Sequence, residues 1–207
     1  MAEGKNKEFT ANPAVFLRNH EIARSPQYDA MAPIASSGPA NIDLVPGPAP
    51  GPGRHQVAIE NYDRRKHSFG ARPISAYWLP AQENVTRTIQ LGNAANYFFT
   101  SPLSGCLFAA YHNAAGNLVV EHTNARGDVA FVAAQLTPRL TAIFAAAANG
   151  PVRVLTPMAV PAALAVPAGP NDHVVHYPNY AWVIGGRIGG WRFRYKLSGA
   201  PALTPEL

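Results

Sequence analysis

Cys106-Leu107-Phe108-Ala109-Ala110-Tyr111-His112 and Leu118-Val119-Val120-Glu121-His122-Thr123-Asn124 are joined by Asn113-Ala114-Ala115-Gly116-Asn117. Both runs are rich in β-branched and aromatic residues and are bounded by turn formers, the pattern of paired strands. A three-residue loop, Ala114-Ala115-Gly116, puts glycine where a left-handed backbone is needed. Asn113 then pairs with Asn117, Phe108 with His122, and Cys106 with Asn124. Strand side chains alternate between faces, so Cys106, Phe108 and His122 share one face. Cys106 and His122 are diagonal neighbours, with Cβ atoms roughly 7 Å apart or less. A loop of two or four residues would place them on opposite faces.

Outward from this hairpin, strand-like runs are expected at 56–60, 74–79, 86–91 and 96–99, and again at 152–155, 173–176, 181–184 and 191–197. Asn12-Pro13 is a cap followed by a proline at the first helical position, predicting a helix to about Arg24. Thr137-Pro138 has the same form, and Asn149-Gly150 is a stop, predicting a helix over 138–148 with a helical segment at 128–136 before it. Pro46-Gly47-Pro48-Ala49-Pro50-Gly51-Pro52-Gly53 lies in a Pro/Gly-rich stretch, 32–53, where no regular element is expected. Gly185-Gly186-Arg187-Ile188-Gly189-Gly190 reads as a hairpin turn or bulge, since it lacks the Lys-Ser/Thr of a phosphate loop. Strands, then central helices, then strands predict an α+β fold: a sandwich of mixed, largely antiparallel sheets flanked by helices and loops. The expected organisation is an N-terminal helix and arm over 1–53 and a catalytic domain over 54–207.

The chain has 207 residues, 47% hydrophobic and 14% charged, enough for one sizeable core and unlike a disordered composition. Its 20 prolines and 17 glycines disfavour a helical bundle. The formal charge of +5 is scattered, and its densest cluster, Arg64-Arg65-Lys66-His67, is too short for a polybasic arm. Nucleic acid is therefore not expected as a partner, no run reaches membrane-spanning length, and a monomer is expected. Met1–Glu8 has no apolar signal core, so any export follows a route the N-terminus does not reveal. One cysteine allows no internal disulfide, and with scattered histidines it shows no metal-ligand spacing, so neither metal nor cofactor is expected.

That cysteine carries the candidate chemistry. An imidazolium beside a thiol lowers its pKa, and the histidine then protonates the leaving amine and activates the water that resolves a thioester. Ser104 and Gly105 are small and leave backbone N–H groups accessible for a tetrahedral oxyanion or substrate. Thr100 can orient the base through its hydroxyl or its carbonyl. His112 shares the face of Cys106 but lies about 20 Å along the strand. His173 and His176 are the rival bases, and His20, His55 and His67 fall in or near loops. Glu121 points away from His122. Tyr177, Tyr180 and Trp182 line either the substrate cleft or the core.

Thr100, Leu103-Ser104-Gly105-Cys106 and His122-Thr123-Asn124 resemble the glutamine deamidase toxins of the Burkholderia lethal factor and cytotoxic necrotizing factor type. The resemblance implies a sandwich of mixed β-sheets edged by helices. It implies a hydrolase that converts a protein glutamine to glutamate through a Cys thioester, with Cys106 as nucleophile, His122 as acid/base, Thr100 as orienting member and Ser104 beside the nucleophile. It further implies a virulence effector, secreted or translocated, acting in a target cell's cytoplasm on a host protein such as a GTPase or a translation factor. Two alternatives stand beside it: another Cys–His amidohydrolase, a protease or transglutaminase-like enzyme, and a β-rich binding domain whose thiol is a buried hydrophobe.

Overall fold

The computed structural model describes residues 2–23, 39–46, 55–62, 72–125, 129–147, 150–157, 171–177, 180–197 and 206–207. Two helices open the chain, α1 (Ala2–Ala11) and α2 (Pro13–Asn19). Asn12 caps α2, its side chain accepting from the Val15 N–H at 3.1 Å, with Pro13 at the first helical position. The helix stops at Asn19 rather than near Arg24, because the chain turns into strand β1 (His20–Ala23). The ammonium of Lys196 caps this end, donating to the Leu17 and His20 carbonyls at 2.6 and 2.7 Å.

Eleven further strands follow: β2 (Ala40–Pro46), β3 (His55–Asn61), β4 (Ile74–Leu79), β5 (Thr86–Leu91), β6 (Tyr97–Thr100), β7 (Cys106–His112), β8 (Leu118–Asn124), β9 (Arg153–Thr156), β10 (His173–His176), β11 (Ala181–Arg187) and β12 (Trp191–Leu197). Helix α3 (Val129–Ala146) lies between β8 and β9. A seven-stranded sheet has the order β1-β3-β2-β4-β6-β11-β12, and a five-stranded sheet the order β10-β9-β7-β8-β5. The pairs β1–β3, β4–β6 and β9–β10 are parallel and the rest antiparallel. This is the α+β sandwich of mixed, mainly antiparallel sheets that the strand pattern predicts.

Alternation within the strands builds four layers. Tyr77, Leu79, Phe98, Val183 and Phe193 of the larger sheet meet Cys106, Phe108, Ala110, Val120 and Leu155 of the smaller one. On the far side of the larger sheet, Phe9, Phe16 and Leu17 of α1 and α2 cover Ile42, Leu44, Trp78, Phe99 and Trp182. On the far side of the smaller sheet, Leu136, Leu140 and Ile143 of α3 cover Leu107, Ala109 and Val154. Each fully buried Phe or Leu contributes roughly 1.5–3 kcal/mol.

Three expectations need correction. Strand β2 runs through the stretch read as lacking regular structure, since Ile42, Leu44 and their neighbours fit the sheet between Pro39 and the dense proline run that starts at Pro46. The larger sheet therefore joins residues on both sides of the 53/54 boundary expected between arm and domain. Asn6 of α1 fastens this region, donating to Asp43 at 2.7 Å and accepting the Leu44 N–H at 2.8 Å. Helix α3 is one helix across Pro138, not two segments meeting there. Leu136, Leu140 and Ile143 keep one continuous buried stripe, while Pro138 and Ala134, whose carbonyl the proline frees, face solvent. His20 is buried, 3% exposed, and stacks on Phe16 at 4.1 Å. Its Nδ1–H donates to the Phe16 carbonyl at 2.9 Å, and Nε2 accepts from Lys5 at 2.7 Å. The Arg64–His67 cluster lies outside the described residues.

Candidate active site

The hairpin of β7 and β8 has the register the loop predicts. Gly116 takes φ +77°, the Asn113 N–H donates to the Asn117 carbonyl at 3.0 Å, and Phe108 pairs with His122 and Cys106 with Asn124. Cys106 and His122 are thus diagonal on the face turned toward the larger sheet. Strand β5 extends the arrangement by one strand, with Arg87 directly opposite His122.

Cys106 enters from a turn. Leu103 bridges to Ala181 through reciprocal backbone bonds of 2.8 and 3.1 Å. Ser104 is exposed, and Gly105 takes φ +77°, where a Cβ would strain the backbone by roughly 1–2 kcal/mol. The thiol then points inward, 3.8 Å from the Ser104 carbonyl, and the residue is 2% exposed. Tyr177, wholly buried, clamps the backbone there: its hydroxyl accepts the Cys106 N–H at 2.9 Å and donates to the Cys106 carbonyl at 2.5 Å. Burial and the neighbouring sulfur push the Tyr177 phenol well above its usual range, against the backbone bonds.

Burial pushes the Cys106 thiol up to about 11, the Ser104 carbonyl contact acting weakly the other way. Burial likewise pulls the His122 imidazole down to about 4, opposed by the Leu79 carbonyl. Neither ring nitrogen of His122 reaches a hydrogen-bond partner, so the Leu79 carbonyl acts on the ring without a fully formed bond. Leu79 ends β4 and pairs with Thr100 at the end of β6, which brings this corner of the larger sheet over the imidazole. Thr100 is fully buried, and its hydroxyl donates to the Ser101 carbonyl at 2.7 Å. The Thr100 hydroxyl is thus engaged by a neighbouring carbonyl, and the Leu79 carbonyl is the backbone group that favours the charged form of the ring.

With these shifts Cys106 and His122 are both neutral at pH 7. Moving the thiol proton to the imidazole works against both shifts, since burial raises the Cys106 thiol to about 11 and lowers the His122 ring to about 4. The ordinary values of 9.0 and 6.5 leave a gap of about 2.5, or roughly 3 kcal/mol. The Cys106 N–H, expected to be open to an oxyanion, is occupied by Tyr177.

The other named residues separate cleanly. His173 and His176 are exposed on β10, two strands from β7, and His176 Nε2 meets the Pro157 carbonyl at 2.9 Å. His112 is exposed at the far end of β7. Tyr180 is 52% exposed, while Trp182 faces α1 and α2 and so lines no cleft beside Cys106. Glu121, fully buried on the opposite face, holds Arg139 of α3 through a two-point ion pair, with the Tyr111 hydroxyl donating at 3.3 Å. Sequence reasoning missed Leu79 and Arg87. Only the β4–β6 and β5–β8 registers bring them to the imidazole, and no local pattern encodes those pairings.

No family model matches the chain, and no curated protein does. Among solved structures, the C-terminal domain of CNFy from Yersinia pseudotuberculosis is similar with a TM-score of 0.46 and 9% identity, over 100% of this chain and 97% of that one. No group of three or more His, Cys, Asp or Glu among the described residues is placed to hold a metal ion, and no described helix is long and apolar enough to cross a membrane.

Proposed function

We propose that this chain is a cysteine-dependent protein-glutamine deamidase, a secreted or translocated effector in which Cys106 is the nucleophile and His122 the acid/base. The observation that supports it is the register of β7 and β8, which sets the one thiol and one imidazole diagonally on a single face. In the reaction His122 takes the thiol proton, and the thiolate attacks the carboxamide carbon of a target glutamine. The tetrahedral intermediate collapses as the imidazolium protonates the leaving nitrogen, releasing ammonia and leaving an acyl thioester. Water, deprotonated by His122, attacks the thioester, and the thiol regains its proton as glutamate leaves. The described arrangement is a resting state, and substrate must admit water or its own carboxamide to the pair before the thiol ionises.

The target is a protein with an accessible glutamine. Incubating the protein and its Cys106→Ser variant with target-cell lysate, then scoring new Glu at Gln positions by mass spectrometry, tests the reading. Conversion by the wild type alone is expected; equal conversion by the variant removes Cys106 as nucleophile. A cut chain in place of a same-length acidic product would indicate a protease, and an amine adduct a transamidase. The burial of Cys106 favours a second reading, a binding domain with a structural thiol. That reading expects iodoacetamide to label the thiol only after denaturation, whereas labelling of native protein once substrate is present supports the enzyme.

A further inference from the structure

Arg87 is a cation beside the candidate base to which neither the sequence motif nor the reaction gives a role. It pairs directly across from His122 on the same face, so the two Cβ atoms lie about 5 Å apart. Its Nη2 donates to the side-chain oxygen of Gln82, a neutral acceptor. Its Nε–H is buried without a partner. No carboxylate among the described residues pairs with it. A guanidinium has five N–H donors in a planar fork that matches a carboxylate, and most of these remain unused. The contrast with Arg139 is direct, since the same side chain there spends its fork on Glu121.

The position of Arg87 also suits contact with a bound chain. Strand β5 is an outer strand of the smaller sheet, and Arg87 is half-buried while His122 and Cys106 are 1% and 2% exposed. The layer between the sheets therefore meets solvent on this side, beside the exposed Gln82. Arg87 and Cys106 are two strands and two residues apart, which with strand spacings of about 4.8 Å and a rise of about 3.3 Å separates their Cα atoms by about 12 Å. An extended peptide covers that distance in three to four residues.

We infer that Arg87 is a specificity residue that binds an aspartate or glutamate side chain of the target, two to four residues from the reactive glutamine. This rests on the Cys106–His122 reading and deepens it. The glutamine side chain reaches Cys106 while the flanking carboxylate engages the fork of Arg87 and displaces Gln82.

The experiment uses the full chain as wild type, Cys106→Ser, Arg87→Gln, Arg87→Lys and Arg87→Glu. Cys106-dependent conversions are first collected from lysate. Synthetic peptides spanning those sites are then compared with versions whose flanking acid is replaced by its amide or by lysine. Acidic residues are expected within four positions of converted glutamines. Arg87→Gln is expected to lower kcat/KM on the acidic peptide by about 10–100-fold and on the amide peptide by less than about 2-fold. Arg87→Lys should retain part of the preference, and Arg87→Glu should favour the lysine peptide. Equal slowing on acidic and amide peptides, or conversion indifferent to flanking charge, overturns the inference and leaves the deamidase reading standing. Absence of any Cys106-dependent conversion overturns both. Thermal unfolding of each variant identifies a folding defect, and Arg87→Lys keeps the test open if Arg87→Gln does not fold.

Discussion

The buried, unpartnered imidazole of His122 makes a quantitative claim about acid stability. In the unfolded chain the ring titrates near 6.5; in the fold, burial holds it at about 4, with the Leu79 carbonyl opposing. The groups around it act consistently with this. Arg87 lies directly across on β5, Cys106 on β7 is a neutral thiol, and Thr100 and Leu79 of the larger sheet present no carboxylate, so burial governs the ring. Because the folded pKa is depressed, the unfolded chain binds more protons between pH 6.5 and 4. Stability is therefore unaffected by this group above pH 6.5 and falls as pH drops through that window, at about 1.4 kcal/mol per pH unit. The loss is about 2 kcal/mol at pH 5 and about 3 kcal/mol at pH 4.

Carboxylates also titrate below pH 5, so the useful quantity is a difference of differences. Urea denaturation of wild type and His122→Asn at pH 7.5, 6, 5 and 4.5 yields two stability profiles. The variant should be less acid-sensitive than the wild type by about 2 kcal/mol between pH 7.5 and 5, whatever its absolute stability. NMR titration of the ring reads the same quantity directly. Parallel profiles within about 0.5 kcal/mol, or a ring titrating above pH 6, would refute the reasoning.

Tyr177→Phe keeps the ring in the core and removes the hydroxyl that satisfies both backbone groups of Cys106. Leaving a buried N–H and C=O unpaired should cost about 2–4 kcal/mol in urea denaturation, and native labelling of Cys106 should accelerate. An unchanged midpoint would mean water replaces the hydroxyl at no cost. Arg139→Leu strands the fully buried carboxylate of Glu121 under α3. With the Arg139 side chain 31% exposed, the loss should fall near 2–4 kcal/mol rather than at the top of the range for buried pairs. Adding Glu121→Leu should restore most of it, and a double variant as unstable as the single one would contradict this account.

The hairpin was legible because its information is local. One glycine at a left-handed position fixes a three-residue loop, and the loop fixes every face from Cys106 to Asn124. Several strands were legible from their β-branched and aromatic runs bounded by turn residues; 74–79, 86–91, 173–176 and 191–197 match the observed bounds. What could not be read is set by tertiary context. Proline 138 reads as a start signal in a local window, yet a buried stripe on both sides of it holds one helix across the sheet. Strand β2 reads as irregular beside a run of prolines, yet Ile42 and Leu44 find a sheet and two helices to pack against. Tyr177 reads as a cleft or core aromatic; it is in the core, and the partner of its hydroxyl is a backbone 71 residues earlier in the chain. No periodicity carries a contact of that sequence separation.

The position of the strands limits which parts of the site can move if the thiol is to work. Strand β7 is paired on both sides, to β8 and β9, and β8 to β7 and β5, so separating Cys106 from His122 would break several ladder bonds at once. The strands are thus the fixed frame that sets the diagonal. The connections around them are weaker. The Ser104-Gly105 turn is partly exposed and tied back by the Leu103–Ala181 bridge, while a single hydroxyl holds the Cys106 backbone. Releasing that hydroxyl would free the Cys106 N–H for an oxyanion and open the layer to water in one movement. Hydration would relax both shifts toward the groups' ordinary values and ease the proton transfer. Under the proposed reaction, a substrate that displaces the Tyr177 hydroxyl would couple oxyanion binding to thiol activation.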